Sequence, residues 1–324
     1  MSVDDRSEAR DSKVLDFILA CFERNLAKAC IDWKRPIGLR DGLYRWVGLQ
    51  QTEIANTYRM WHWLLNLPDR EYCPRIQLFS NCFHAHFNGY TDEERIRALE
   101  ENLYGHLPHI LVQFAYGLNS KSYKRQAADT AYQVKQRQAV LKFQIDALLS
   151  QYSRILPFRF ELYYHDKFKD EVSSVEFRQH LDEFSRQIRK TITFAEEGMR
   201  DVEILFFVRL AEQGADTGHY HVHYLIILDG KYHRNVYRFE TIADALWKQI
   251  TEGKGFLRYN SKKIIYGRPN ISNHVIHRGD TVFIESLYFA ANYLAKNGTD
   301  SGKDQYLRCK PKGMELFACS HRRK

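Results

Sequence analysis

Along the first half of the chain the apolar positions recur three and four residues apart, the period of one helix face, and past residue 155 runs that alternate every second residue appear. Val14, Phe17, Ile18, Cys21 and Phe22, extended by Leu15 and Leu26, predict an amphipathic helix over residues 13–30. Thr91 followed by Glu94 is a capping-box start for a helix with Ile96, Leu99 and Leu103 on its apolar face. From about Ala128 to Tyr152 a seam of Ala131, Val134, Gln138, Leu141, Ile145 and Leu148 predicts a long helix that packs on another. Between Ile31 and Gly89 aromatic and turn residues mix without a readable period. The N-terminal half is therefore expected to be mainly helical.

Pro157 ends that run, and Phe158, Phe160 and Leu162 then alternate with Arg159 and Glu161, a strand pattern. Phe177, Leu181, Phe184 and Ile188 share one helix face. Residues 202–211 and 219–228 are apolar runs of strand length, and the Glu212–Gly218 link between them has turn chemistry, which predicts a hairpin. A helix over about 241–250 with Thr241 and Asp244 as its capping pair, a short strand near Lys263–Tyr266 and a helix over about 283–297 follow. The order β, α, β, β, α, β, α predicts an α+β domain, an antiparallel sheet covered by helices. The expected organisation is a mainly helical domain over residues 1–152, the α+β domain over 153–302, and a basic C-terminal tail over 303–324.

Composition narrows the class of protein. Over 324 residues, 44% hydrophobic and 27% charged residues describe a packed globular chain and argue against a largely disordered or collagen-like one. No stretch approaches the roughly 20 uncharged apolar residues of a membrane-spanning helix. The charged start Met1–Lys13 is unlike an export signal, so a cytoplasmic protein without membrane contact is expected. Cys21, Cys30, Cys73, Cys82, Cys309 and Cys319 include no C-x-x-C pair and are expected as buried thiols of a reducing compartment. The net charge of +8 is uneven: residues 1–150 carry +2, residues 151–302 carry +1, and residues 303–324 hold seven basic against two acidic groups. A second basic stretch, 252–278, holds Lys254, Arg258, Lys262, Lys263, Arg268 and Arg278 against Glu252 alone. Such a mild excess suggests where phosphates would lie without itself making the case for nucleic acid.

Candidate chemistry concentrates on two elements. His219, His221 and His223 alternate with Tyr220 and Val222, so all three imidazoles leave one face of a strand. The strand continues as an apolar run, where imidazoles need a ligand or hydrogen-bond partners. Glu212, across the turn, can return beside them as a carboxylate ligand. Imidazoles alone favour zinc, copper or nickel, whereas an added carboxylate with open positions admits magnesium or manganese. A second H-x-H, His84-Ala85-His86, lacks an apolar strand and reads as structural. In Tyr293-Leu294-Ala295-Lys296 the first and last residues share a helix face, so the ammonium can sit beside the phenol, which is a weak nucleophile unless activated. Tyr288, five residues earlier, faces elsewhere and reads as packing.

Together, Gly218-His219-Tyr220-His221-Val222, Glu212 before it, Trp247 on an intervening helix and Tyr293-Leu294-Ala295-Lys296-Asn297-Gly298-Thr299-Asp300 resemble the HUH endonucleases, the group of rolling-circle initiators, relaxases and related transposases. The resemblance is closest to the inovirus replication-initiator (YagK/YfjJ-like) family and covers roughly residues 155–300. The chain lacks the family's proline before the first histidine, carries the additional His223, and has Asp300 where lysine is usual. The family pattern selects His219 and His221 as ligands, whereas other HUH proteins would select His221 and His223; both choices retain His221.

The resemblance implies an HUH-type fold and a rolling-circle replication initiator that nicks and joins single-stranded DNA. A histidine-bound Mg2+ or Mn2+, with Zn2+ less suited, would polarise the scissile phosphate, Tyr293 would attack it to give a 5′-phosphotyrosine, and Lys296 would stabilise the charge. Arg258, Lys262, Lys263 and Arg268 are candidates for holding the strand, with Tyr259 and Tyr266 to stack on bases. None of Gly230-Lys231, Gly253-Lys254 and Gly302-Lys303 precedes Ser or Thr, so no ATP-binding loop is visible and a separate helicase is expected to open the origin in a bacterial host cell. The competing readings are a DNA-binding module without chemistry, acting as repressor or origin marker, and a metal-dependent hydrolase without a covalent step.

Overall fold

A computed structural model of the chain describes residues 6–29, 41–191, 204–214, 218–296 and 306–320. Helices α1 (Glu8–Lys28), α2 (Asp41–Gln50), α3 (Thr52–Asn56) and α4 (Tyr58–Leu65) precede strand β1 (Arg70–Tyr72) and helices α5 (Pro74–His86), α6 (Asp92–Asn119) and α7 (Lys121–Gln151). The order continues with β2 (Arg154–Tyr164), α8 (Ser174–Thr191), β3 (Ile204–Gln213), β4 (Tyr220–Asp229), α9 (Tyr237–Ile250) and β5 (Gly255–Arg258). It closes with β6 (Ile264–Ile265), β7 (Arg268–Pro269), β8 (Ile276–His277), α10 (Thr281–Ala295), β9 (Cys309–Pro311) and β10 (Phe317–Cys319). The chain is thus α+β, and no helix among the described residues is long and apolar enough to cross a membrane. Cys30, the turn residues Asp216 and Thr217, and the motif end Asn297–Asp300 lie outside the described residues.

Two compact units emerge, Met1–Asp129 with Arg308–Lys312, and Thr130–Leu307 with Gly313–Lys324. This differs from the division expected at 152/153. The seam explains the shift: Leu141, Ile145 and Leu148, at the C-terminal end of α7, are buried in the core beneath the large sheet, whereas Ala131 is exposed. The expected C-terminal tail is also structured in its described part. β9 pairs antiparallel with β1, and β10 pairs with β3.

In the first unit α1 is capped by Ser7, whose hydroxyl accepts from the Arg10 amide at 3.2 Å, and it buries Leu15, Ile18, Leu19, Phe22 and Leu26. Phe17, expected on that stripe, is instead exposed. The Thr91–Glu94 capping box forms as read. The region without a readable period folds in part as the short helices α2 to α5, with α4 joined to α5 by edge-on contacts of Trp61 with Phe79 and Phe83. His84 and His86 lie on α5, His84 beside Arg95 and His86 beside His106. Of the described cysteines Cys73 and Cys309 are buried, and Cys21, Cys82 and Cys319 are half-buried; all are free thiols.

A charged knot anchors the unit. Buried Asp16 contacts Arg75 at 2.6 Å and buried Arg308 at 3.0 Å, and Lys310 pairs with Glu71 at 2.5 Å. Two of the seven basic residues of the expected tail, Arg308 and Lys310, are therefore neutralised inside the fold. Removing one partner of such a pair leaves an uncompensated buried charge, which costs about 3–5 kcal/mol. Asp16→Ala is expected to lower the urea-unfolding free energy of the first unit by that order, and a loss below about 1 kcal/mol would contradict this account.

The second unit is built on a sheet ordered β10-β3-β4-β2-β5, with β8 also pairing β2, and every pairing antiparallel. One face is apolar. Phe158, Phe160, Leu162 and Tyr164 of β2 and Tyr220, Val222 and Tyr224 of β4 pack there under α8 and α9, with Phe160 stacked on Tyr224 and Phe177 on Tyr220. The stripe Phe177, Leu181, Phe184 and Ile188 is buried as its spacing predicts. Helix α9 begins at Tyr237 and not near Thr241: that hydroxyl bonds back to the Tyr237 carbonyl inside the helix, and Asp244 accepts from the Leu257 amide instead of capping. Trp247 donates its indole N–H to the Tyr163 carbonyl at 3.0 Å, pinning α9 to β2, and a Cβ at Gly255 would collide with that indole.

The opposite face is half apolar and half polar. Leu205, Val208, Leu210, Leu225 and Ile227 pack against Leu287, Ala290, Ala291, Leu294 and Ala295 of α10. The small alanines let the helix approach closely. Asp280 caps it by accepting from the Phe283 amide, and it ends at Ala295, leaving Lys296 extended as the C-cap. The end of α10 thus reaches the rows of β3, β4 and β2 where the polar residues begin.

Candidate metal centre

The centre follows from strand register. Across β3–β4, Glu212 is opposite His221; across β2–β4, Glu161 is opposite His223. Alternation sends these four side chains to one face, together with Arg159 and Tyr163 on β2. A hydrophobic strand brings the polar groups to a buried position because Tyr220, Val222 and Tyr224 on its other face secure it to the core.

Glu212, His221 and His223 converge. His223 Nε2 lies 3.0 Å from Glu212 Oε2 and 3.2 Å from His221 Nε2, and the third edge, His221 Nε2 to Glu212 Oε2, is 3.7 Å. Three donors about 2.1 Å from one ion are separated by about 3.0 Å in an octahedral and about 3.4 Å in a tetrahedral arrangement. The observed triangle fits a single divalent ion held on one side by two imidazoles and a carboxylate. All three groups are buried.

Each imidazole is held from behind. His223 Nδ1 contacts Glu161 Oε1 at 3.0 Å, and His221 Nδ1 faces the His219 carbonyl at 3.3 Å, so both Nε2 atoms turn toward Glu212. Such outer partners fix ring orientation at metal sites. Tyr163 stacks on His221, with centroids 4.9 Å apart and an interplanar angle of 3°. Arg258 contacts both Glu161 Oε2, at 2.8 Å, and the Tyr163 hydroxyl, at 3.0 Å. Burial would push the Glu212 carboxyl up, yet the two imidazoles hold its pKa below the ordinary value. Burial opposes charge on His223, but Glu161 and Glu212 together raise its pKa. Two carboxylates, Glu212 and Glu161, thus border the imidazoles that a cation would meet.

Tyr293, in the last turn of α10, lies against this group. Its ring meets His223 edge-on at 5.6 Å, the Arg159 guanidinium stands over it at 4.4 Å, and the Lys296 ammonium lies 5.5 Å from its centre. Burial, then Glu212, raise the phenol pKa, and Arg159 opposes them. A hairpin of β6 and β7 supplies a further ring: Tyr266 and Gly267 both have positive φ, 51° and 74°, a tight turn that holds Tyr266 stacked near Tyr293 at 6.5 Å.

No protein-family model, no curated protein and no solved structure matches the chain.

Of the expected residues, Glu212, His221, His223, Tyr293 and Lys296 come together. His219 does not join the triangle: its Nδ1 lies 3.9 Å from Asp166, and its buried Nε2 has no hydrogen-bond partner among the described residues. Arg258 is engaged by Glu161 and Tyr163. Tyr259 packs edge-on against Phe158, on the helix-covered side of the sheet, away from the centre. Lys262 and Lys263 are exposed at the base of the β6–β7 hairpin, and Arg268 stands over Phe289, 3.9 Å from Glu285. Tyr288 binds Asp146, with Lys142 over its ring, and contributes packing as expected. Arg159, Glu161 and Tyr163 were missed. Their signal was the polar half of the β2 alternation, which looks like an ordinary solvated strand face.

Calorimetry with Mn2+ tests the centre. Glu212→Ala, His221→Ala and His223→Ala are each expected to abolish measurable binding, and Glu161→Gln to weaken it about 10–100-fold. His219→Ala is expected to leave it within about threefold, and a larger loss would put His219 among the ligands. Because uptake must displace the proton that Glu161 and Glu212 favour on His223, affinity is expected to fall as pH is lowered.

Proposed function

We propose that this protein nicks and rejoins single-stranded DNA through a phosphotyrosine intermediate, as a replication initiator of the rolling-circle type related to the HUH endonucleases. The observation that carries the reading is the contact of Tyr293 with His223, one corner of a triangle suited to a divalent ion. Binding alone requires neither group.

Two imidazoles and one carboxylate leave open positions for phosphate and water, a set that admits Mg2+ or Mn2+. When bound, the ion would supply Lewis-acid polarisation of a phosphate oxygen and a positive charge beside Glu212. In the proposed step the Tyr293 phenol gives its proton to solvent, its oxygen forms a bond to phosphorus, and the P–O3′ bond breaks. The leaving 3′ oxygen takes up a proton, giving a 5′-phosphotyrosine and a 3′-hydroxyl. Rejoining is the reverse, with no net oxidant or cofactor consumed. Lys296 and Arg159 are the cations beside the ring. Lys262 and Lys263 offer phosphate contacts for the strand, and Tyr266 offers a stacking surface. The origin duplex would be opened by a separate helicase.

The test incubates labelled single-stranded origin DNA with protein and Mn2+ and resolves the products in SDS. Wild type is expected to form an SDS-stable adduct and Tyr293→Phe to lose it by at least about 10³-fold. An adduct that persists in Tyr293→Phe would refute the nucleophile. A mobility shift without cleavage would favour a DNA-binding module, and cleavage without an adduct a metal-dependent hydrolase.

A further inference from the structure

The reaction proposed above gains from an electrophile beyond the ion and Lys296, and the molecule offers one that the motifs do not include. In-line attack on a phosphodiester places negative charge on two non-bridging oxygens, and an ion on one side of the phosphorus faces only one of them. The cations around Tyr293 differ in how committed they are. Arg258 is engaged by Glu161 and Tyr163, and Arg268 lies near Glu285. Arg159 has no carboxylate partner among the described residues, although Glu161 is only two positions along the same strand face.

Its placement is firm. The Arg159 amide donates to the Ser272 hydroxyl at 3.1 Å, and that hydroxyl faces the Arg159 carbonyl at 3.3 Å. Ser272 thereby ties down β2 where it is paired with neither β5 nor β8. The guanidinium then rests on the Tyr293 ring at 4.4 Å. Stacking on a ring leaves the N–H edge of an arginine available for a planar, two-toothed contact with phosphate, which an ammonium cannot make.

We propose that Arg159 is a catalytic residue of this site: its guanidinium binds the scissile phosphate from the Tyr293 side and neutralises the non-bridging oxygen that faces away from Glu212, His221 and His223. This inference rests on the function proposed above. It makes the phosphate site two-sided, with metal ligands on β3 and β4 and an arginine on β2.

The experiment uses the full chain, Mn2+ and two single-stranded oligonucleotides, one with the natural scissile phosphate and one with a neutral methylphosphonate there. With the phosphate, Arg159→Ala is expected to slow adduct formation about 10²-fold, and Arg159→Lys to recover part of that loss. With the methylphosphonate there is less charge to neutralise, so the wild-type to Arg159→Ala ratio is expected to fall to within about threefold. Mn2+ affinity of Arg159→Ala is expected to stay within about threefold, which establishes that the centre is folded. A ratio equally large on both oligonucleotides, or a collapse of Mn2+ binding, would make Arg159 structural and overturn the inference alone. Failure of wild type to form any adduct would overturn the proposed function and this inference with it.

Discussion

Everything at the centre depends on the register of three antiparallel strands. Pairing Glu212 with His221, and Glu161 with His223, is what turns residues from β2, β3 and β4 into one cluster. A slip of β4 by one residue would send His221 and His223 to the helix-covered face, away from Glu212 and Glu161, and bring Val222 and Tyr224 to the polar side. The register is fixed from that other face, where Phe160 stacks on Tyr224, Phe177 on Tyr220, and the Trp247 indole grips the β2 backbone. Apolar packing on one side of the sheet thus specifies the geometry of the Glu212–His221–His223 group on the other.

The same strand that completes the sheet also supports each working group in turn. Arg159 stands over Tyr293, Glu161 backs His223, and Tyr163 stacks on His221, all two residues apart on one face. Burial would disfavour the charges of Glu161 and Glu212, but the imidazoles and Arg258 offset it and hold both carboxyls below their ordinary pKa. The tyrosine arrives from a separate element, α10, because alanines at 290, 291 and 295 let the helix lie close on β3 and β4. Positioning is therefore shared between a rigid sheet and a closely docked helix, which suits chemistry that requires a phosphate between two fixed groups.

Much of this was legible in the sequence, and the gaps have physical reasons. Alternation identified β2 and the His221–His223 strand, and helical spacing identified α1, α7 and α8, because each of these elements buries one regular face. The short helices α2 to α5 were not readable: they are stabilised by cross-helix aromatic contacts such as Trp61 with Phe79 and carry little periodic signal of their own. Glu212 could be found because a hairpin brings it back locally. Glu161 could not, since it lies some sixty residues from His223 and only the β2–β4 pairing joins them. Charge was the poorest guide. Arg308 and Lys310, counted as a basic tail, are paired with Asp16 and Glu71, while Arg159, outside both basic stretches, stands over Tyr293.

The central claim is that one phosphate bridges Tyr293 and an ion held by Glu212, His221 and His223. Pulsed electron–nuclear resonance on the Mn2+-loaded Tyr293→Phe protein, which can hold an uncleaved single strand, tests this most directly. The account predicts couplings to two imidazole nitrogens, with a phosphorus coupling that appears when the oligonucleotide is added. A spectrum with the nitrogen couplings but no phosphorus coupling on added DNA, or with no imidazole nitrogens at all, would contradict it.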